Sequence, residues 1–287
     1  MSLKDENLYF IGGVVRDEML GIPSLDTDYC YEGDAIEFAK QKGLNILREN
    51  PAFGTVRVLF EDKEIDIAST REEFYPQKGH LPVVSNIGCA LEDDLKRRDF
   101  TINAMAKRTT DGEVIDIWGG IDDIKSKKLR VLHDKSFEDD PTRILRALKF
   151  SLRFGFTLDE STARVQKEYL KNINYDMSYH RLKKELVETF NLNSQEAYDR
   201  FTSEGIYKLL GKSVLLPEYH PDFRNLNYSG RHIWLIYLSF FNLENLELTR
   251  AEKRIIEWAE RLKTEKQTNN TPIESIIINE IYKEAVS

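Results

Sequence analysis

The sequence predicts an α+β protein, a mixed head of short strands and helices followed by a stretch that is helical throughout. Two patterns carry this. Up to about residue 135, apolar runs of strand length alternate with glycine-containing breaks, whereas from Asp140 onward apolar residues recur at helical spacing in segment after segment. A third observation is the composition: 287 residues, 41% hydrophobic and 31% charged, describe an ordinary globular chain long enough to bury a core. No apolar run approaches the roughly 20 residues needed to cross a bilayer. The start of the chain lacks a basic segment feeding an apolar one, which predicts a cytoplasmic protein without a membrane partner. Two cysteines, Cys30 and Cys89, are too few for a disulfide framework and are expected as reduced thiols. A net charge of −8 excludes indiscriminate coating of nucleic acid but allows a local basic groove.

The elements follow in order. Leu8–Ile11 reads as a strand entering the glycine turn Gly12-Gly13, although the string Glu6 to Phe10 also resembles a protease-tag remnant. Val14 to Leu20 has helical spacing, Asp28 to Tyr31 reads as a strand, and Asp34 to Lys42 as an amphipathic helix stopped by Gly43. Thr55 to Phe60 and Glu64 to Ala68 alternate around Glu61-Asp62-Lys63, which predicts a hairpin. Residues 71–90 read as loop, Asp93 to Lys107 as helix, and Val114 to Trp118 and Leu129 to Leu132 as short strands. Helices are predicted over Thr142 to Phe154, Ser161 to Leu170, Tyr179 to Phe190, His232 to Phe241 and Thr249 to Lys263.

The sharpest chemical signal is Asp26-Thr27-Asp28 ahead of an apolar strand. Residues i and i+2 of an extended chain project from one face, so the two carboxylates point together. Hard oxygen ligands at that spacing suit Mg²⁺ shared with nucleotide phosphates. In Glu64-Ile65-Asp66-Ile67-Ala68, Asp66 faces away from the two isoleucines and can complete a three-carboxylate site if the hairpin lies beside the Asp28 strand. A solvated turn is the plainer reading of Asp-x-Asp alone. Gly12-Gly13 lets the main chain come close to a triphosphate with N–H groups directed at it, and Arg16 follows within one helical turn. In the helix after Asp140, Arg143, Arg146, Lys149 and Arg153 fall on one side and Ile144, Leu145, Leu148 and Leu152 on the other. That arrangement predicts an apolar face packed on the protein and a basic face aimed at a polyanion.

Gly12-Gly13-Val14-Val15-Arg16-Asp17, Asp26-Thr27-Asp28-Tyr29, Arg97-Arg98-Asp99-Phe100-Thr101-Ile102-Asn103-Ala104-Met105 and Asp139-Asp140-Pro141-Thr142-Arg143-Ile144-Leu145-Arg146 occur in that order. Over about residues 8–190 the chain resembles the bacterial-type (class II) tRNA nucleotidyltransferases and their relatives, the bacterial poly(A) polymerases. The resemblance implies a polymerase-β-like nucleotidyltransferase head over residues 1–137, a helical neck with a nucleotide-template helix over 138–190, and a helical, RNA-binding body over 191–287. It implies Mg²⁺ held by Asp26 and Asp28 with Asp66 assisting catalysis, ATP and CTP as substrates, and a tRNA 3′ end as the acceptor. By position, Gly12, Gly13, Arg16, Arg98, Asp99, Arg146 and Lys149 would hold the nucleotide, and Asp140 and Arg143 would read its base. Two positions depart from the family's pattern: Lys149 stands where arginine is common, and His180 replaces a glutamate in a motif that supports the neck.

The loop from Arg71 to Val84 is similar in form to that of enzymes, A-adding ones included, from bacteria that divide CC and A addition between two proteins. A poly(A) polymerase is the neighbouring alternative. A catalytically silent RNA-binding protein and a nucleotidyltransferase acting on small molecules are alternatives of other classes. The intact Asp26/Asp28 pair disfavours the first of these, and the Asp140/Arg143 helix disfavours the second.

Overall fold

The structure is a computed structural model that describes residues 3–24 and 28–286. The chain divides into two compact units, Met1–Asp139 with Thr157–Ala163, and Asp140–Phe156 with Arg164–Ser287.

The first unit is built on a seven-stranded sheet. In chain order the elements are β1 (Leu8–Ile11), α1 (Gly13–Met19), β2 (Asp28–Tyr31), α2 (Ala35–Gln41), β3 (Asn45–Asn50), β4 (Thr55–Phe60), β5 (Lys63–Ser69), β6 (Arg71–Phe74), β7 (Val83–Ile87), α3 (Leu91–Lys96), β8 (Ala106–Arg108), β9 (Val114–Ile115), α4 (Gly120–Ser126), β10 (Lys128–Leu129) and α5 (Ser136–Asp139). Strand order in the sheet is β3-β4-β5-β2-β1-β8-β9, with β2 parallel to β5 and the other pairs antiparallel. Alternation decides what each face covers. Tyr29, Val56, Val58, Ile65 and Ile67 meet Ala35, Ile36, Phe38 and Ala39 of α2 on one side. On the other, Tyr9, Ile11, Cys30 and Ala106 lie under Leu91 and Leu95 of α3. The residues of β3, β4 and β5 on the α3 side are exposed or half-buried, Arg48, Arg57 and Asp66 among the exposed ones.

Local chemistry sets the turns. The β4–β5 hairpin closes through Glu61 and Asp62, both at positive φ (49° and 61°), the left-handed pair that matches strand twist in a two-residue loop. Asp34 caps α2 by accepting from the N–H groups of Ile36 and Glu37, and Gly43 ends it at φ 62°. Where Asp116 accepts from the N–H groups of Gly120 and Ile121, the start of α4 passes so close to the 101 carbonyl that a Cβ on Gly120 would lie 2.4 Å from it.

Two predicted segments come out differently. Residues 71–90 contain a two-stranded ribbon, β6 against β7; its side chains are largely half-exposed, so no alternating signal marks it. The helix expected from Asp93 to Lys107 stops at Lys96, and Ala106–Arg108 is a strand beside β1. Phe100, Ile102, Ala104, Met105 and Ala106 are all fully buried, so their spacing reflects an irregular buried segment and not one helix face. Strand β3 and helix α4 have no counterpart among the predicted elements.

The second unit contains α6 (Thr142–Phe154), most of α7 (Glu160–Tyr169), α8 (Tyr179–Phe190), α9 (Gln195–Ser203), α10 (Ile233–Leu238), α11 (Arg250–Arg261) and α12 (Ile273–Val286). Residues assigned above to neck and body thus lie in one unit, with α6 packed on α8 and α9, α8 on α10, and α12 on α10 and α11. Strand β11 (Thr157–Leu158) pairs in parallel with β10, which draws residues 157–163 into the first unit. Ile144, Leu145, Leu182, Leu186, Phe190, Phe201, Trp234 and Tyr237 are buried in the helical core. Helix α11 starts with a capping box between Thr249 and Glu252. No helix among the described residues is long and apolar enough to cross a membrane. Both cysteines are free and buried. Burial pushes the thiol pKa of Cys30 up, with the nearby Asp94 carboxylate adding to it.

Candidate active site

Four charged residues lie in one row across the sheet. Arg48 on β3 pairs with Arg57 on β4, Arg57 with Asp66 on β5, and Asp66 with Asp28 on β2. Residues directly opposite share a face, so all four point to the α3 side. They help line a cleft of about 500 Å³ whose wall also includes Arg71, Asp94, Arg97 and Arg98. The placement of Asp66 beside Asp28, expected from the alternation of β5, is what the register gives. Asp26 lies outside the described residues. Asp66 is held by a fork: Arg57 Nε donates to its Oδ1 at 2.8 Å and Nη2 to its Oδ2 at 2.7 Å.

At Gly12 the glycine turn departs from the expectation. The N–H of Gly12 donates to the carbonyl of Met105, so it is not directed at a ligand. Gly12 sits at φ 64°, and a Cβ there would lie 2.7 Å from Arg98 Nη1; Gly13 packs against the guanidinium of Arg16. The pair therefore makes room for two arginines. Arg16 is 5% exposed. Its Nε and Nη2 donate to Asp17 Oδ1 at 2.8 and 2.6 Å, and its Nη1 to Asn103 Oδ1 at 2.6 Å. Asp99, also buried, accepts at Oδ1 from the Phe100 N–H and from Asn103 Nδ2, so it orients the amide that orients Arg16.

Arg98 is fixed by a carboxylate that the sequence motifs do not single out. Asp94 accepts at Oδ2 from Arg98 Nη2 at 3.0 Å and at Oδ1 from Arg97 Nη2 at 2.7 Å. Its Oδ1 also accepts from the Arg71 N–H at 3.2 Å, and Glu73 Oε1 bonds both Arg71 Nε and Arg97 Nη1. The i, i+3 and i, i+4 spacing of Asp94 to Arg97 and Arg98 on α3 was the available signal. Asp17 and Asn103 lie inside the quoted motifs without a role read for them, and Arg48 and Arg57 carry no comparable mark.

In the second unit the predicted basic face of α6 is exposed only at its end, at Arg153, and is covered or paired before it. Arg143 is 4% exposed. Lys149 Nζ donates to Glu185 Oε2 at 2.8 Å and Glu188 Oε2 at 2.5 Å, and Arg146 Nη1 to Glu185 Oε1 at 3.4 Å. The reason is α8, whose Glu185 and Glu188 stand one turn apart and offset those cations. Burial alone would raise the carboxyl of Glu188, but its bond to Lys149 and the neighbouring cations hold it below the usual range. Asp140 accepts at Oδ1 from the Thr142 N–H and hydroxyl, at 3.1 and 2.6 Å, and pairs through Oδ2 with Arg181 of α8. His180 is on the exposed side of α8, its side chain 81% accessible, so the departure at that position leaves the α6–α8 ion pairs untouched.

Comparison with known proteins follows the same division. Residues 8–130 match the Poly A polymerase head domain. An A-adding tRNA nucleotidyltransferase of Aquifex aeolicus is 44% identical over 167 residues, 56% of this chain and 20% of that protein. Its counterpart in Halalkalibacterium halodurans is 36% identical over 192 residues, 62% of this chain and 44% of that one. The chain therefore spans between a fifth and less than half of these curated relatives. Among solved structures, the Thermotoga maritima CCA-adding enzyme complexed with tRNA matches with a TM-score of 0.72 at 27% identity, over 97% of this chain and 77% of that one. With the head domain matched from β1 to β10 and relatives of one kind on both counts, residues 8–130 carry a Poly A polymerase head domain and the chain is similar to the A-adding and CCA-adding tRNA nucleotidyltransferases.

Proposed function

We propose that this protein is a Mg²⁺-dependent tRNA nucleotidyltransferase that adds A, C or both, from ATP and CTP, to a tRNA 3′ end without a nucleic-acid template. The observation that carries the reading is Asp28 and Asp66 in register on adjacent strands in an arginine-walled cleft. Identities of 44% and 40% to two A-adding relatives, against 38% to a CCA-adding one, favour A as the nucleotide. The donor set fits the ion, since hard carboxylate oxygens on one sheet face suit Mg²⁺. Asp26 and Asp28 would hold it, and bound there it would offset phosphate charge and ease deprotonation of a hydroxyl.

The chain's own residues do the positioning. The RNA 3′ oxygen attacks the α-phosphorus in line, a new P–O bond forms, the bond to the β-phosphate bridge breaks, and pyrophosphate leaves. Asp66, steadied by Arg57, stands by the attacking hydroxyl. Gly12 and Gly13 give the guanidinium groups of Arg98 and Arg16 their places, Asp99 sets Arg16 through Asn103, and these cations hold the triphosphate. Catalysis of this kind is largely positioning and electrostatic stabilisation. Asp140, oriented by Arg181 and Thr142, accepts from the exocyclic amine of A or C while Arg143 donates to the neighbouring ring nitrogen. U and G present the opposite order and would leave buried charges unpaired, which such sites reject strongly.

The deciding experiment supplies tRNAs ending at successive 3′ positions with each nucleotide separately, with and without chelator. Incorporation of A or C on the truncated tRNAs alone is the expected result; no incorporation from any nucleotide would end the proposal. The match to a Poly A polymerase head domain keeps one other reading in view, and long extension of an oligo(A) primer would select it. In the same assay, Arg143→Ala should relax the choice among the four nucleotides by about tenfold or more, the worth of a charge-assisted hydrogen bond, and weaken triphosphate binding less. Unchanged selection would remove Arg143 from base reading.

A further inference from the structure

Arg48 and Arg57 stand directly opposite each other on β3 and β4, a position where like charges repel. Asp66 offsets Arg57. Arg48 is exposed and lines the cleft, and its side chain has no hydrogen bond or ion pair among the described residues. A bulge puts it there. Ile46 pairs with Val58 and the next pair is Arg48 with Arg57, so Leu47 is an extra residue and is left 46% exposed. In an unbroken ladder Leu47 would oppose Arg57, and Arg48 would oppose Val56 on the α2-side core. Bulges re-aim side chains next to functional sites; this one brings a second guanidinium to the carboxylate row.

The strand order says which anion the pair meets. From Asp28 the sheet runs one way to β1 and the Gly12-Gly13 turn, and the other way through Asp66 to Arg57 and Arg48. With strands about 4.8 Å apart, Arg57 and Arg48 lie one and two strand spacings beyond Asp66. In-line displacement puts the attacking oxygen and the leaving pyrophosphate on opposite sides of the α-phosphorus. If the triphosphate lies at the glycine-turn side, the attacking strand arrives over β5 and β4. We propose that Arg48 and Arg57 bind the phosphodiesters next to the 3′ hydroxyl of the RNA acceptor. This rests on the nucleotidyl-transfer reading for the identity of the anion. Phosphate contacts of this type fix register and orientation whatever the base sequence.

The test measures binding without turnover: fluorescence anisotropy of a 5′-labelled single-stranded RNA with the full chain and its Arg48→Ala and Arg48→Glu variants, no nucleotide present. Arg48→Ala should weaken RNA binding by about tenfold and Arg48→Glu by more. With one phosphate fewer neutralised, the slope of log K against log salt should become shallower by about 0.7. ATP affinity should hold. Unchanged RNA affinity and salt slope in a folded Arg48→Glu protein would overturn the proposal, as would weakened ATP binding with RNA binding intact. Because the readout needs no chemistry, a chain that binds RNA through Arg48 yet never extends tRNA refutes the proposed reaction and leaves the RNA-binding role of Arg48 standing.

Discussion

Replacing Asp26 and Asp28 together by asparagine is expected to abolish nucleotide incorporation, by at least about 10³-fold, with the fold intact. Asparagine keeps the shape of aspartate and removes its charge, so what is lost is the pair of anionic oxygens that would hold Mg²⁺. Several kcal/mol of transition-state charge stabilisation go with them, and each ~1.4 kcal/mol is tenfold in rate. Stability should move the other way or stay flat. Asp28 is exposed and faces Asp66 in register on the neighbouring strand, so two carboxylates repel across about one strand spacing. Neutralising one removes that repulsion. The signature is therefore lost incorporation in a tRNA extension assay together with an unchanged or slightly raised melting temperature. Incorporation within tenfold of the unmodified chain would take the metal role away from this pair, and a collapsed melting curve would show that the residues hold the fold instead.

The parts of the head legible in the sequence are those where one face is buried and the other wet. Val56, Val58, Ile65 and Ile67 alternate with Arg57, Glu64 and Asp66, so the hairpin, and the side on which Asp66 emerges, follow from period 2 alone. Strand β3 gave no such signal. It is an edge strand with most of its residues exposed, and its bulge breaks the alternation at Leu47. Hence Arg48 could not be placed without the register. The buried run Phe100 to Ala106 misled for the opposite reason: with every apolar side chain inside, no period distinguishes helix from irregular backbone. On α6 the helical spacing of Arg143, Arg146 and Lys149 was readable, but not the acids that meet the last two, since Glu185 and Glu188 come from another helix 36 to 39 residues away. Gly12-Gly13 was singled out correctly as a constrained turn, yet its reason is the room it leaves for Arg98 and Arg16.

Asp94→Ala is expected to be the most destabilising single change in the head, costing about 3–5 kcal/mol, as removal of one partner from a buried ion network does. Asp94 is fully buried and receives hydrogen bonds from Arg97, Arg98 and the Arg71 backbone N–H. Its loss strands the guanidinium of Arg98 and that N–H, while Glu73 still holds Arg97. The pH dependence identifies the mechanism. Burial by itself would raise the Asp94 carboxyl, but the charges of Arg98 and Arg97 outweigh it and hold the group below its ordinary 3.8. A carboxyl depressed on folding stabilises fully above the unfolded value, and that contribution is lost as pH falls through the folded one. The stability gap between the unmodified chain and Asp94→Ala, read from urea unfolding, should thus be constant at neutral pH and shrink only below about pH 4. Since Asp94 also aims Arg98 along the cleft wall, ATP affinity should fall in the same variant under conditions where it remains folded. A gap under about 1 kcal/mol at pH 7 would reduce Asp94 to the rank of a surface ion pair; a full stability loss with ATP affinity untouched would keep the network but detach Arg98 from the nucleotide.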